Sequence, residues 1–252
     1  MQLKDKVVVV TGAARGLGRA YAEAMAAEGA AIFACDTNSC EDTVEAVRAA
    51  GGQIESAVTD ITNMDSCTAM AKEAVASFGR IDVLVNNAAL YAGLQGARFE
   101  DLDEDQWDRV MNVNIKGVWQ TCKAVVKPMR EAGGGSIINI SSLGAVFGLP
   151  YGLDYVASKS AVIGMTRGMA RELGRDSIRV NAVAPSAVMT EGTTEFFGEK
   201  FEKAKDVIAK GQLIQRNLET ADITGTVIYL ASDASAFVTG QTHMVDGGSW
   251  FL

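Results

Sequence analysis

The chain is short of the residues that build metal centres and covalent cross-links. It holds one histidine, His243, and four cysteines, Cys35, Cys40, Cys67 and Cys122, none in a Cys-x-x-Cys pair. One imidazole and scattered thiols are too few for a zinc-type site, so no metal is expected. The thiols are expected to be reduced and mostly buried. Basic side chains are also outnumbered, 23 Lys and Arg against 31 Asp and Glu, for a formal net charge of -8. An acidic surface argues against nucleic acid and anionic membranes as partners. No apolar run approaches the roughly 20 residues that span a bilayer. The opening Met1-Gln2-Leu3-Lys4-Asp5-Lys6 lacks the charged-then-apolar layout of a secretion signal, which makes the cytoplasm the expected location.

What is present is a regular alternation. Hydrophobic residues are 48% of 252, ample for one α/β layered core. Short apolar runs that read as buried strands cover Val7 to Val10, Ala31 to Cys35, Ile54 to Thr59, Ile81 to Val85, Ser136 to Ile140, Ile178 to Ala184 and Thr242 to Val245. Between them, helical patterns cover Gly16 to Gly29, Glu41 to Ala50, Met64 to Phe78, Trp107 to Arg130 (one long helix), Tyr155 to Leu173 and Ala221 to Ala231. Thr190 to Gln215 is the least regular stretch. This order implies an α/β fold, a doubly wound parallel sheet of about seven strands with helices on both faces. With no linker or repeat, residues 1–252 are expected to form one domain, with a variable lid around 190–215.

Thr11-Gly12-Ala13-Ala14-Arg15-Gly16-Leu17-Gly18 follows the first strand and opens the first helix. Glycines there allow a tight turn and close backbone approach, and a helix N-terminus attracts a pyrophosphate. No Lys-Ser/Thr pair follows, so it is not a P-loop. A glycine motif alone is a weak signal, but Asp36 ends the second strand roughly 20 residues on, where an acid accepts from the ribose hydroxyls of NAD and repels the 2′-phosphate of NADP. Arg15 is the contrary feature, since it could face that phosphate; Asp36 outweighs it, and Arg15 is read as a solvated surface charge.

Ser142 follows the fifth strand, and Tyr155 and Lys159 lie four apart on one helical face. A free tyrosine titrates at about 10. A nearby ammonium, with an oxidised nicotinamide, would favour the phenolate and let Tyr155 exchange a proton with an alcohol or ketone. Ser142 would donate to the substrate oxygen.

Together these residues resemble the short-chain dehydrogenase/reductase family over nearly the whole chain. The resemblance implies a Rossmann-type fold and a cofactor site of Gly12, Arg15, Gly16, Leu17, Gly18 and Asp36. Asp60 and Ile61 would flank the adenine. Asn86-Asn87-Ala88 resembles the motif that ends the fourth strand, with Asn87 and Ala88 at the cofactor. Pro185, Val188 and Thr190 would lie at the nicotinamide, alongside Tyr155 and Lys159. Asn114 is similar to a fourth catalytic residue, joining Ser142, Tyr155 and Lys159 through a water relay. Phe237 to Gln241 and Val245 to Gly248 resemble the C-terminal signature. The family further implies NAD(H), 4-pro-S hydride transfer and a homotetramer. Ala89 and Ser186 depart from the pattern, each standing where glycine is common.

The pocket is expected to draw on Leu90, Tyr91, Leu143, Phe147, Leu149, Tyr151, Phe196, Phe197 and Phe201, which suit an apolar secondary alcohol or ketone better than a sugar. The apolar tail Trp250-Phe251-Leu252 is expected at a subunit interface near a neighbour's pocket. Two alternatives stand beside the secondary-alcohol dehydrogenase. One is an NADPH-dependent 3-oxoacyl-[acyl-carrier-protein] reductase, with Arg130, Arg171 and Arg175 as a docking patch. The other is a non-catalytic dinucleotide-binding protein, against which the full set Asn114, Ser142, Tyr155 and Lys159 argues.

Overall fold

A computed structural model describes residues 1–251. Its strands are β1 (Val7–Thr11), β2 (Ala31–Asp36), β3 (Gln53–Val58), β4 (Val83–Asn86), β5 (Gly135–Ile140), β6 (Ile178–Pro185) and β7 (Thr242–Val245). They form one parallel seven-stranded sheet in the order β3-β2-β1-β4-β5-β6-β7. The order reverses between β1 and β4, and at such a switch point the loops part to leave a crevice beyond the strand C-termini.

Side chains alternate across each strand, so β1 feeds two cores. Val8 and Val10 pack on one face with Tyr21 and Met25 of α1 (Gly16–Ala27), Val44 of α2 (Glu41–Ala49) and Ile223 and Val227 of α10 (Thr220–Ala231). Val9 packs on the other with Met70 of α3 (Met64–Phe78), Val125 of α5 (Val118–Glu131) and Val162 of α7 (Leu153–Leu173). Helices therefore cover both faces, as the alternation predicts. The cysteines are free and buried, and among the described residues no helix is long and apolar enough to cross a membrane.

Two stretches differ from the sequence expectation. The expected long helix 107–130 is α4 (Glu104–Met111), a π-turn over Asn112–Gly117, and then α5. Hydrophobic periodicity does not register one turn of wider winding, because the backbone stays right-handed helical at both junctions. The irregular stretch after Thr190 is largely helical, with α8 (Glu191–Phe197) and α9 (Phe201–Gly211), and a short helical turn, α6 (Gly144–Phe147), lies between β5 and α7.

Candidate active site

β1 delivers Thr11 to the crevice, and the chain must turn at once to start α1. Gly12 does so with φ +67, and a Cβ there would lie 2.8 Å from Ala88 Cα. A Cβ on Gly18 would lie 2.0 Å from the carbonyl oxygen of Gly12. The turn is held from the β4 side: Asn87 Nδ2 donates to Thr11 O (3.0 Å) and Gly12 O (3.1 Å), and Thr11 Oγ1 accepts from the amides of Asn87 (3.1 Å) and Ala88 (3.0 Å). No side chain caps the start of α1, and no acid sits in its first turn. Its N–H groups and dipole are therefore open to an anion. Because the Gly18 clash is with backbone, Gly18→Ala is expected to lower stability by about 1–3 kcal/mol and to abolish dinucleotide binding. Unchanged thermal melting and NADH titration would show that the turn tolerates a side chain.

Asp36 ends β2 beside this turn. Its Oδ2 accepts from Ala14 N at 3.2 Å and its Oδ1 from Asn38 N at 2.9 Å. Asp60, at the end of β3, accepts from Thr62 N (2.8 Å) and Thr62 Oγ1 (2.7 Å). Ile61 is buried against Gly117, where a Cβ would meet Ile61 Cδ1 at 2.7 Å. Arg15 stays half exposed at the surface, as expected, but it is ion-paired rather than free. Its guanidinium forks onto Glu195 of α8 at 2.5 and 3.0 Å, with Glu191 4.0 Å away. The reason is tertiary, since α8 arrives from a segment 180 residues distant.

At the other end of the crevice, β5 places Ser141 and Ser142 against α7. Ser141 Oγ donates to Lys159 O at 2.9 Å, and Ser142 Oγ accepts from Gly144 N at 3.1 Å. Ser142 and Tyr155 line the same cleft. Lys159 is buried; its Nζ donates to Ile140 O at 2.8 Å and lies 5.9 Å from the Tyr155 ring centroid. Burial lowers the Lys159 pKa to about 8. Burial raises the Tyr155 pKa above its ordinary value, neighbouring Tyr91 adds to this, and Ser142 opposes it. The expected fall is tied to the charge of an oxidised nicotinamide as well as to Lys159.

Asn114 sits fully buried in the π-turn. Its Oδ1 accepts from Leu90 N at 2.7 Å, and its Nδ2 donates to Leu90 O at 3.1 Å and Ser158 Oγ at 3.1 Å. Ser158 Oγ in turn donates to Tyr155 O at 2.8 Å. The side chain thus ties the segment after β4 to the helix carrying Tyr155 and Lys159. A second buried network is built on Asn86, the first residue of the motif that ends β4. Asn86 Nδ2 donates to Asn139 Oδ1 (2.9 Å), Asn139 Nδ2 to Thr166 Oγ1 (2.9 Å), and Thr121 Oγ1 to Asn86 Oδ1 (2.6 Å). Its partners Asn139, Thr121 and Thr166 carry no motif and have only their buried polar side chains as a signal.

A cleft of about 640 Å³ joins the two ends. Arg15, Gly16 and Leu17 line one end, Ser142, Tyr155 and Lys159 the floor, and Pro185, Ser186, Val188 and Thr190 the side under α8. Of the expected walls, Tyr91, Leu143, Phe147, Leu149, Phe196 and Phe197 line it. Tyr91 stacks on Phe196 (4.6 Å, 14°) and tilts against Tyr155 (5.2 Å). Leu90, Tyr151 and Phe201 do not line it. Leu90 is bound through its backbone to Asn114, Tyr151 lies exposed at φ +64 beside a separate cavity of about 570 Å³, and Phe201 only starts α9. In their place stand Val207 and Ile208 of α9. Their helical spacing from Ala204 was the missed signal. Trp250 packs edge-on to Phe147 of its own chain at 5.6 Å, and Ser249 lines the cleft; Leu252 lies outside the described residues.

Comparison with known proteins agrees with this geometry. A family model described as enoyl-(acyl carrier protein) reductase matches residues 12–249. The chain is 38% identical over 251 residues to a 3-oxoacyl-[acyl-carrier-protein] reductase of Thermotoga maritima, covering 98% of this chain and 99% of that one. It is 39% identical over 248 residues to a 3-alpha-(or 20-beta)-hydroxysteroid dehydrogenase of Mycobacterium tuberculosis, covering 98% and 90%. The crystal structure of carveol dehydrogenase from Mycobacterium avium in complex with NAD superposes with a TM-score of 0.94 at 31% identity, covering 98% of each chain. The chain is an oxidoreductase that belongs to the short-chain dehydrogenase/reductase family.

Proposed function

We propose that this chain interconverts a secondary alcohol and a ketone with NAD(H), on an apolar, aromatic or alicyclic substrate. The observation that carries this reading is the grouping of Ser142, Tyr155 and Lys159 on the floor of an aromatic-walled cleft whose far end is an uncapped helix N-terminus beside a carboxylate. The residues fit a dinucleotide. Gly12, Gly16, Leu17 and Gly18 would hold the pyrophosphate, Asp36 the adenosine ribose, and Asp60, Ile61, Asn87 and Ala88 the adenine side. Pro185, Val188 and Thr190 would hold the nicotinamide end. When bound, that cofactor supplies the hydride acceptor or donor.

The chain's own part is to orient and to move one proton. Ser142 donates to the substrate oxygen and holds it at the Tyr155 hydroxyl. Tyr155 gives its proton to a forming alkoxide, or takes one from an alcohol. Lys159, fixed to Ile140 O, supplies positive charge beneath the ring. Asn114 positions the helix through Ser158. The walls exclude water and offer few polar groups to a sugar.

The choice of NAD rests on two features. Asp36 would repel a 2′-phosphate, and Arg15, the cation that could attract one, is occupied by Glu195. The name borne by the Thermotoga relative favours a second reading, an acyl-carrier-protein-linked reductase using NADPH. Against it, Arg130 of the supposed docking patch is paired with Asp176 at 2.7 Å. The family resemblance also supports a homotetramer as the working assembly. The deciding experiment follows absorbance at 340 nm with both dinucleotides across 1-phenylethanol, cyclohexanol, a steroid alcohol and a 3-hydroxyacyl thioester. Turnover of an apolar alcohol with NAD is expected; turnover confined to NADP and the thioester would establish the second reading.

A further inference from the structure

Ser186, one of the two departures from the family pattern, makes a contact that glycine could not. Its Oγ donates to Gln212 Oε1 at 3.0 Å, and both residues are buried, at 8% and 3% exposure. The remaining end of the carboxamide is also used, since Gln212 Nε2 donates to Arg216 O at 2.6 Å. Gln212 packs against the turn after β7 as well: a Cβ on Gly247 would lie 3.1 Å from its Oε1. Ser186 is itself fixed to β7, its N–H donating to Val245 O at 3.0 Å. Gln212 therefore joins the end of β6, the turn after β7 and the segment that leads away from α9.

The position matters because α9 has little else to hold it. None of its own residues is buried. Ala204, Val207, Ile208 and Gly211 nevertheless form one wall of the cleft, and Val207 is 63% exposed. A helix with no buried side chain takes its place from its ends. Gln212 immediately follows the C-terminal end and is the buried anchor there.

We propose that the Ser186–Gln212 hydrogen bond pins α9 over the cleft, making Gln212 a positioning residue for apolar substrates. The substrate part rests on the function proposed above; the pinning does not. Breaking the bond leaves a buried partner unsatisfied, which favours release of the helix end.

Amide hydrogen exchange tests the pin without turnover. In Ser186→Ala and Gln212→Ala, exchange across Phe201–Gly211 is expected to accelerate about 5- to 10-fold while β1, β4 and β5 stay protected. Ser186→Thr, which keeps the hydroxyl, should restore protection, and the double variant should be no faster than Gln212→Ala alone. Kinetically, Gln212→Ala is expected to raise KM for an apolar alcohol by a similar factor with kcat and the NADH Kd within twofold. Unaltered α9 exchange, or acceleration spread over the sheet, would overturn the pin. Accelerated α9 exchange with no apolar alcohol turned over would leave the pin standing and count against the proposed substrate.

Discussion

Tyr155→Phe is expected to lower turnover by about 100- to 10,000-fold, the range over which a positioned acid or base contributes, while NADH still binds with its original Kd. The phenyl ring keeps the contact with Tyr91, whose centroid lies 5.2 Å away, so the walls stay in place. What disappears is the hydroxyl of a cleft-lining side chain. Turnover within tenfold of the wild type would remove Tyr155 from the acid/base role. The raised Tyr155 pKa adds a directional test. A phenol held above its ordinary range stays protonated at neutral pH and is ready to donate, so ketone reduction should be nearly flat between pH 6 and 8. Alcohol oxidation needs the proton accepted and passed on, so its rate should climb with pH over the same interval. Lys159, with a pKa of about 8, discharges as pH rises further. Loss of that charge removes support for the phenolate, so the climb should level off above about pH 8. A reduction rate that rises steeply with pH would contradict the phenol as donor.

Asp36→Ala is expected to weaken NAD by about 10- to 100-fold, the effect of removing a charged hydrogen-bonding partner, and to admit NADP. A complete exchange of preference is not expected, because Arg15 remains forked onto Glu195. Adding Glu195→Gln should release the guanidinium and improve NADP by a further few-fold, modest because this ion pair is half exposed. Initial rates with both dinucleotides for the wild type, the single variant and the double variant check both steps. If Asp36→Ala leaves the NAD to NADP ratio unchanged, the ribose contact lies elsewhere. If the second substitution changes nothing, Arg15 does not reach the phosphate.

Most of the site is legible because its parts are local. Gly12 to Gly18 is one continuous turn, Tyr155 and Lys159 share one helix, and Asp36 ends the strand that pairs with β1. The periodicities that mark strand and helix are properties of neighbouring residues, and so the parallel sheet could be read directly. Residues whose role depends on distant partners were harder. Leu90 and Tyr151 have the apolar character of pocket walls, but Leu90 is drawn to Asn114 and Tyr151 turns outward. Val207 and Ile208 lie at helical spacing from Ala204, but the stretch after Thr190 reads as irregular, so the sequence expectation places no helix there.

By itself the sequence determined the order of strands and helices, the cofactor-type turn and the serine, tyrosine and lysine set, since each is written in spacings of a few residues. Only the tertiary structure decided that Arg15 meets Glu195, that Ser186 meets Gln212, that Lys159 is bound to Ile140 O, and that burial raises the Tyr155 pKa. Ion pairing and desolvation are set by which distant segments exclude water around a group, and that follows from packing rather than from neighbours in the chain.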